Sequence, residues 1–154
     1  MNHIFEQIEN IKANPPIKDL FVYEFPGTTR KKILEAVKKF ELKLPEDYIC
    51  FLERSNGMSF WEYYDCRIFD IDKAVSLSLI DDDLTQWLKK KKLLLIGSFY
   101  EDSIYMDCSN GEGLILASFE GIDEPKSLGL DFKGFLQKCI DNNFQVFWDD
   151  IVYN

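Results

Sequence analysis

The sequence predicts an α+β fold: helices first, an antiparallel meander of strands after them, and a closing helix. Three observations carry this. Apolar residues recur at helical spacing in the first third of the chain and again near its end, residues 104–119 alternate apolar and polar side chains around a glycine-rich turn, and no internal repeat or long linker divides the 154 residues into two domains. A chain of this length buries roughly 68 to 70% of its unfolded surface, enough for one core with no disulfide or structural metal. With 46% hydrophobic residues and thirteen Phe, the composition is that of a folded domain and not of a disordered acidic tail.

Ile4, Phe5, Ile8 and Ile11 share one helical face, so residues 2–13 read as a short amphipathic helix beginning in a frayed terminus. Asn14-Pro15-Pro16 stops it, because proline donates no backbone hydrogen bond and biases the residue before it away from helix. Phe25-Pro26-Gly27 reads as a turn, after which Thr28 or Thr29 caps a second helix with Ile33, Leu34, Val37 and Phe40 as its apolar stripe. Lys31, Lys32, Lys38 and Lys39 form its solvated side. Leu44-Pro45-Glu46-Asp47 opens a third helix, with proline at its start and two carboxylates near the positive end of the helix dipole. Tyr48, Phe51 and Leu52 are its buried face, and Asn56-Gly57 is its expected stop.

Strands are expected at Phe60-Trp61 and Arg67-Ile68-Phe69, separated by Glu62-Tyr63-Tyr64-Asp65. Residues 74–80 fit strand or helix. Thr85, Trp87 and Leu88 ahead of four lysines read as a helix whose basic end suits its negative dipole end. Residues 93–96 form a buried strand that ends at Gly97. Ile104, Met106 and Cys108 alternate with Tyr105 and Asp107, Ser109-Asn110-Gly111-Glu112-Gly113 connects a hairpin, and residues 114–119 return. Asp131 caps a last helix carrying Phe132, Phe135, Leu136, Cys139 and Ile140.

Charge narrows the function classes. The chain has 27 acidic and 18 basic side chains, a net charge of −9. Eight basic and six acidic residues precede Leu44, whereas ten basic and twenty-one acidic residues lie from Leu44 onward. Nucleic-acid binding draws on lysine and arginine releasing counterions, so direct DNA or RNA binding is not expected, and anionic membranes are disfavoured for the same reason. Residues 1–6 lack the basic-then-apolar pattern of a secretory signal, and the longest apolar run, residues 93–97, falls far short of the roughly 20 residues that span a bilayer. A cytoplasmic location is expected.

The chemistry search returns little. Histidine occurs once, at His3, which excludes Ser-His-Asp and Cys-His arrangements and multi-histidine metal sites by count. Cys50, Cys66, Cys108 and Cys139 are too widely spaced for a CxxC pair and read as small apolar core residues in a reducing compartment. Gly111-Glu112-Gly113 lies between two strands, the wrong context for a pyrophosphate site. Asp70-Ile71-Asp72 and Asp81-Asp82-Asp83 lack the spaced ligands of a calcium loop. No catalytic, cofactor or metal residues are assigned, and carboxylate pairs are surface decoration.

Leu44-Pro45-Glu46-Asp47-Tyr48-Ile49-Cys50-Phe51-Leu52 followed by Asn56-Gly57 resembles the L-P-x-x-Y-x-x-F-L...N-G signature that opens the SUKH (Smi/Knr-like) superfamily core. Ile96-Gly97-Ser98, Asp102-Ser103-Ile104-Tyr105-Met106-Asp107, Gly111-Glu112-Gly113-Leu114-Ile115 and Asp131-Phe132-Lys133-Gly134-Phe135-Leu136 follow in the family's order, over about residues 28–141. The N-terminal helix, the segment 81–92 and the aromatic tail 144–153 have no counterpart among these motifs. The resemblance implies an α+β SUKH-like fold with a mixed or antiparallel sheet flanked by helices, no shared catalytic constellation, and a binding role. Many bacterial members resemble immunity proteins that neutralise a cognate toxin, often a nuclease or deaminase; eukaryotic members resemble regulatory scaffolds.

The expectation is therefore an immunity protein, not an enzyme, whose acidic face meets a cognate protein toxin domain, a basic nuclease being the chemistry that the charge fits. The alternative is a regulatory adaptor of the same fold. Candidate partner-binding residues are Glu62, Asp65, Asp81, Asp82 and Asp83 for charge, with Trp61, Tyr63 and Tyr64 as anchors. Core packing is the competing role for the three aromatics, as solubility is for each acid.

Overall fold

The first apolar stripe folds as its spacing dictates. In the computed structural model, which describes residues 1–61, 65–79, 86–119 and 124–153, α1 (Asn2–Ala13) buries Ile4, Phe5 and Ile8. Its end comes at Asn14, whose N–H donates to the Asn10 carbonyl ahead of Pro15. His3 belongs to the first turn of this helix and not to a frayed end.

The segment read as a turn before the second helix is a strand. β1 (Val22–Pro26) includes Phe25 and Pro26, and the chain bends only at Gly27, where a Cβ would lie 2.0 Å from the Glu53 carbonyl oxygen. Proline is tolerated because β1 is an edge strand. α2 (Arg30–Val37) is capped by Thr29, whose hydroxyl accepts from the Lys32 N–H at 3.2 Å. Ile33 and Val37 are buried, but Leu34 is exposed and Phe40 falls in a 3-10 turn, Lys38–Phe40, so the stripe is narrower than its spacing implied. The four lysines are exposed as expected.

α3 (Glu46–Arg54) starts after Pro45 and buries Tyr48, Ile49, Phe51 and Leu52. Asn56-Gly57 does not form a turn beyond it: β2 (Ser55–Phe60) begins at the next residue and carries both. Gly57, at φ +103°, lets the chain pass close to Asp70, whose backbone nitrogen would be 3.0 Å from an added Cβ. Asn56 Oδ1 accepts from the Ile71 N–H at 3.0 Å. The ambiguous stretch is helical, as α4 (Ile71–Leu79), because Asp70 caps it by accepting from the Lys73 N–H at 2.9 Å. β3 (Cys66–Ile68) precedes it and α5 (Gln86–Lys91), with three lysines in its last turn, follows.

β4 (Leu93–Phe99) runs through Gly97 instead of ending there, since the missing side chain admits the Arg67 carbonyl of β3, 2.6 Å from where a Cβ would be. β5 (Asp102–Asp107) and β6 (Ile115–Phe119) form the expected hairpin, and β7 (Lys126–Ser127) adds a two-residue edge. α6 (Phe132–Asp141) is capped by Asp131 through the Gly134 N–H at 2.7 Å. It is not the last helix, because α7 (Asp149–Val152) follows.

The sheet is antiparallel throughout, in the order β1-β2-β3-β4-β5-β6-β7, with register shifts between Glu24 and Pro26 and between Leu95 and Gly97. α4 and α5 interrupt the meander between β3 and β4; α5 is the helix expected ahead of the four lysines, and α4 is the stretch that fitted either strand or helix. Alternation assigns the faces. The row Val22, Phe60, Cys66, Phe99, Asp102 faces the core, and the neighbouring row Tyr23, Ser59, Arg67, Ser98, Ser103 faces outward. Rings of α1, α3 and α6 close on one another above the inner face: Phe51 meets Phe5 and Phe132 at centroid distances of 5.9 and 5.3 Å, and Tyr48 meets Phe132 at 5.0 Å. Outside, Leu88 of α5 covers Leu93 and Tyr105, so this strand is buried on both faces at Tyr105.

Cys66, Cys108 and Cys139 are core residues, whereas Cys50 is only half-buried. Burial pushes the Cys66 thiol up to about 11 and also raises the Cys108 and Cys139 thiols well above their ordinary range. A thiol reagent at mildly alkaline pH is expected to modify Cys50 first, with the other three reacting only as fast as the domain opens. Mass spectrometry of the time course checks this, and early labelling of Cys139 would contradict it. The Tyr48 hydroxyl is buried with no hydrogen-bond partner among the described residues. Replacing Tyr48 with Phe removes an unpaired group, so urea unfolding should show unchanged or higher stability, by up to about 1 kcal/mol; a clear loss would mean the hydroxyl is paired.

Candidate partner-binding surface

One end of the sheet gathers the β2–β3 connection, the β4–β5 hairpin and the C-terminal residues, because the antiparallel register brings Phe60, Cys66, Phe99, Asp102 and Phe119 level with one another. The hairpin is tight: Tyr100 adopts φ +56° and its N–H donates to the Asp65 carbonyl at 3.0 Å, tying the two connections together. The C-terminal residues then fold over this end. Phe144 stacks on Phe60 at 4.1 Å, and Trp148 packs edge-on against Phe99 at 5.4 Å.

Asp102 fixes that arrangement. It is 4% exposed at the start of β5, and its carboxylate accepts from Trp148 Nε1 at 2.8 Å and from the Tyr153 hydroxyl. A buried carboxylate is tolerated when its oxygens are hydrogen-bonded, and here both are. Desolvation, then the neighbouring Asp102, hold the Tyr153 hydroxyl above its ordinary titration range.

Between these elements lies a recess of about 580 Å³. Asp65, Glu101, Asp102 and Asp149 supply its charge, Tyr100 and Tyr153 stand at it as half-exposed rings, and Phe99 and Val146 complete the lining. No basic side chain lines it among the described residues. Arg67, on the outer sheet face, reaches Asp65 at 2.6 Å and offsets one of the four charges. Among the described residues no three His, Cys, Asp or Glu side chains come together in a way that could hold a metal ion.

The sequence-derived candidates divide. Asp65 is exposed and lines the recess. Trp61 begins the same connection, but its indole N–H donates to the Phe144 carbonyl at 3.2 Å and its ring packs partly buried against the core, so it fastens the C-terminal segment. Glu62, Tyr63, Tyr64, Asp81, Asp82 and Asp83 lie outside the described residues. Sequence reasoning missed Tyr100, Glu101, Asp149 and Tyr153, which only the tertiary fold brings together. It also missed a second exposed feature, the rings of Phe21, Tyr23 and Phe25, whose F-x-Y-x-F alternation was a strand signal in plain view.

Residues 27–138 match the family model described as SMI1 / KNR4 family (SUKH-1). The chain belongs to the SMI1 / KNR4 (SUKH-1) family. No curated protein matches the chain. The SUKH match opens at the Gly27 bend and closes within α6, so β1, α1 and the C-terminal residues that complete the recess flank it. Within the match, Asp65, Tyr100 and Glu101 sit on connections at one end of the SUKH sheet, where loops tolerate change without disturbing strand pairing. No helix among the described residues of this SUKH protein is long and apolar enough to cross a membrane.

Replacing Asp102 with Ala leaves the buried Trp148 N–H without its partner. Stability should fall by about 1–3 kcal/mol in denaturant unfolding, more than for Tyr153→Phe, a residue that is half-exposed. Equal losses would show that Trp148 does not depend on this carboxylate.

Proposed function

We propose that this SUKH protein is an immunity protein that binds a cognate toxin domain acting on nucleic acid and neutralises it by protein–protein contact in the cytoplasm of the producing cell. The observation that carries the reading is the acidic recess at the end of the sheet, on a family scaffold to which a binding role attaches. A nuclease presents basic side chains to a phosphate backbone. An acidic surface competes for those side chains and accelerates encounter with the protein that bears them. Asp65, Glu101 and Asp149 are the described charges of that surface, and Tyr100 and Tyr153 are rings able to anchor it. Glu62, Asp81, Asp82 and Asp83, with Tyr63 and Tyr64, extend the same reading.

The domain acts as a single unit without catalysis or cofactor in this reading: it occludes. Co-expression with a toxin domain encoded beside its own gene should restore growth, and unrelated toxins should remain lethal. Failure to protect against that neighbour would sink the proposal. In a purified pair, the triple replacement Asp65→Asn, Glu101→Gln, Asp149→Asn should slow association at least tenfold at low ionic strength and flatten its salt dependence.

A further inference from the structure

β1 departs from the alternation rule in an informative way. Its inward residue Val22 is 6% exposed, while the rings on the opposite face, Phe21, Tyr23 and Phe25, are 55%, 50% and 43% exposed. They touch one another, at 6.5 Å between Phe21 and Tyr23 and 5.1 Å between Tyr23 and Phe25, with Ile11 and Lys12 of α1 beside the first two and Lys73 of α4 beside Phe25. Scattered exposed rings are ordinary; three in contact, Phe21 just before β1 with Tyr23 and Phe25 on it, form a patch of the kind that marks an interaction site. The other edge of the sheet, β7, is two residues long and carries Lys126, the usual way of blunting an edge.

Arg67 lies between the patch and the acidic end. Tyr23 pairs with Ser59 and Ser59 with Arg67 across the outer face, so about 10 Å separates Tyr23 from Arg67 at the usual strand spacing. Arg67 holds Asp65, which lines the recess. At the start of β1, the Phe21 carbonyl accepts from the Trp61 N–H at 2.9 Å. Apolar rings beside charge reproduce the anatomy of a protein interface, a desolvated anchor with a polar rim. A second copy of this chain would bring its own net charge of −9 against the same rim, whereas a basic partner complements it.

We infer that Phe21, Tyr23 and Phe25 are the anchor of the surface that binds the cognate toxin, with Asp65 and the recess as its steering rim, and that the toxin meets them with an apolar patch beside its basic cluster. This rests on the immunity reading and deepens it. All three rings precede residue 27 and lie outside the span that the family model describes.

The probe is the neighbouring toxin domain against which the chain protects. Tyr23→Ser, and the triple replacement of the rings by Ser, should leave the chain folded with a modestly lower thermal midpoint, because the rings are half-exposed yet pack on one another. The triple variant should dissociate at least thirtyfold faster with little change in association, the reverse of the acidic variants. If protection is intact and dissociation changes less than twofold, the rings are not the anchor. If no protection exists in the first place, the immunity reading falls and this assignment with it. Should sedimentation show the free chain to be a dimer at micromolar concentration that Tyr23→Ser dissolves, the patch belongs to a second copy and the inference is overturned.

Discussion

The packing of rings on the inner face of the sheet is the constraint from which the rest of the molecule follows. Phe60 and Phe99 stand side by side on that face at 5.9 Å, and they are sealed by residues distant in sequence, Phe144 over Phe60 and both Phe135 and Trp148 against Phe99. Each such pair contributes about 0.5–1.5 kcal/mol beyond the apolar area it removes from water. The larger effect is positional. Because Trp148 must reach Phe99, the C-terminal segment is drawn across the end of the sheet, Asp102 is buried under it, and Asp149 and Tyr153 are carried to the rim of the recess. Trp61 joins the same arrangement through the Phe144 carbonyl. The acidic end is thus a by-product of closing the core.

Much of this was legible wherever one periodicity and one cap agreed. The helices opened by Thr29, Pro45 and Asp131 are where spacing placed them, and so is the hairpin through Gly111 and Gly113. What was not legible has physical causes. Phe25-Pro26-Gly27 read as a turn because proline is rare inside sheets, and only the knowledge that β1 is an edge removes the objection. Gly57 and Gly97 read as stops, yet each is a glycine so that neighbouring backbone can approach within contact distance. Asp70 was weighed as a calcium ligand and is a helix cap, a short-range role that becomes visible only once the chain on both sides is placed. The recess was invisible because its four acids come from three separate stretches of sequence, none of them distinctive alone.

The family match and the exposed features divide the labour of the chain. Residues 27–138 hold most of the sheet and the helices that cover it. Much of what is unusual about the surface comes from the flanks: the rings along β1 before the match, and Val146, Asp149 and Tyr153 after it. Those flanks are not appendages. Phe5 and Ile8 of α1 and Trp148 near the end are as buried as anything in the matched span. A scaffold whose core is completed by its flanks allows its outward residues to change only within the limits that the buried ones impose.

The meander order has a consequence for how the chain assembles. Each strand pairs with the next one in sequence, so β4, β5 and β6 can zip through short loops at little loop-closure entropy. Two pairings are different: β1 must find β2 across residues 27–54, and β3 must find β4 across the stretch that contains α4 and α5. Relative contact order is therefore low across β4, β5 and β6 and high where β1 meets β2, where β3 meets β4 and in the final packing of Trp148. Short loops favour the β4–β6 hairpins as first contacts, whereas the edge that bears the exposed rings depends on a long-range pairing.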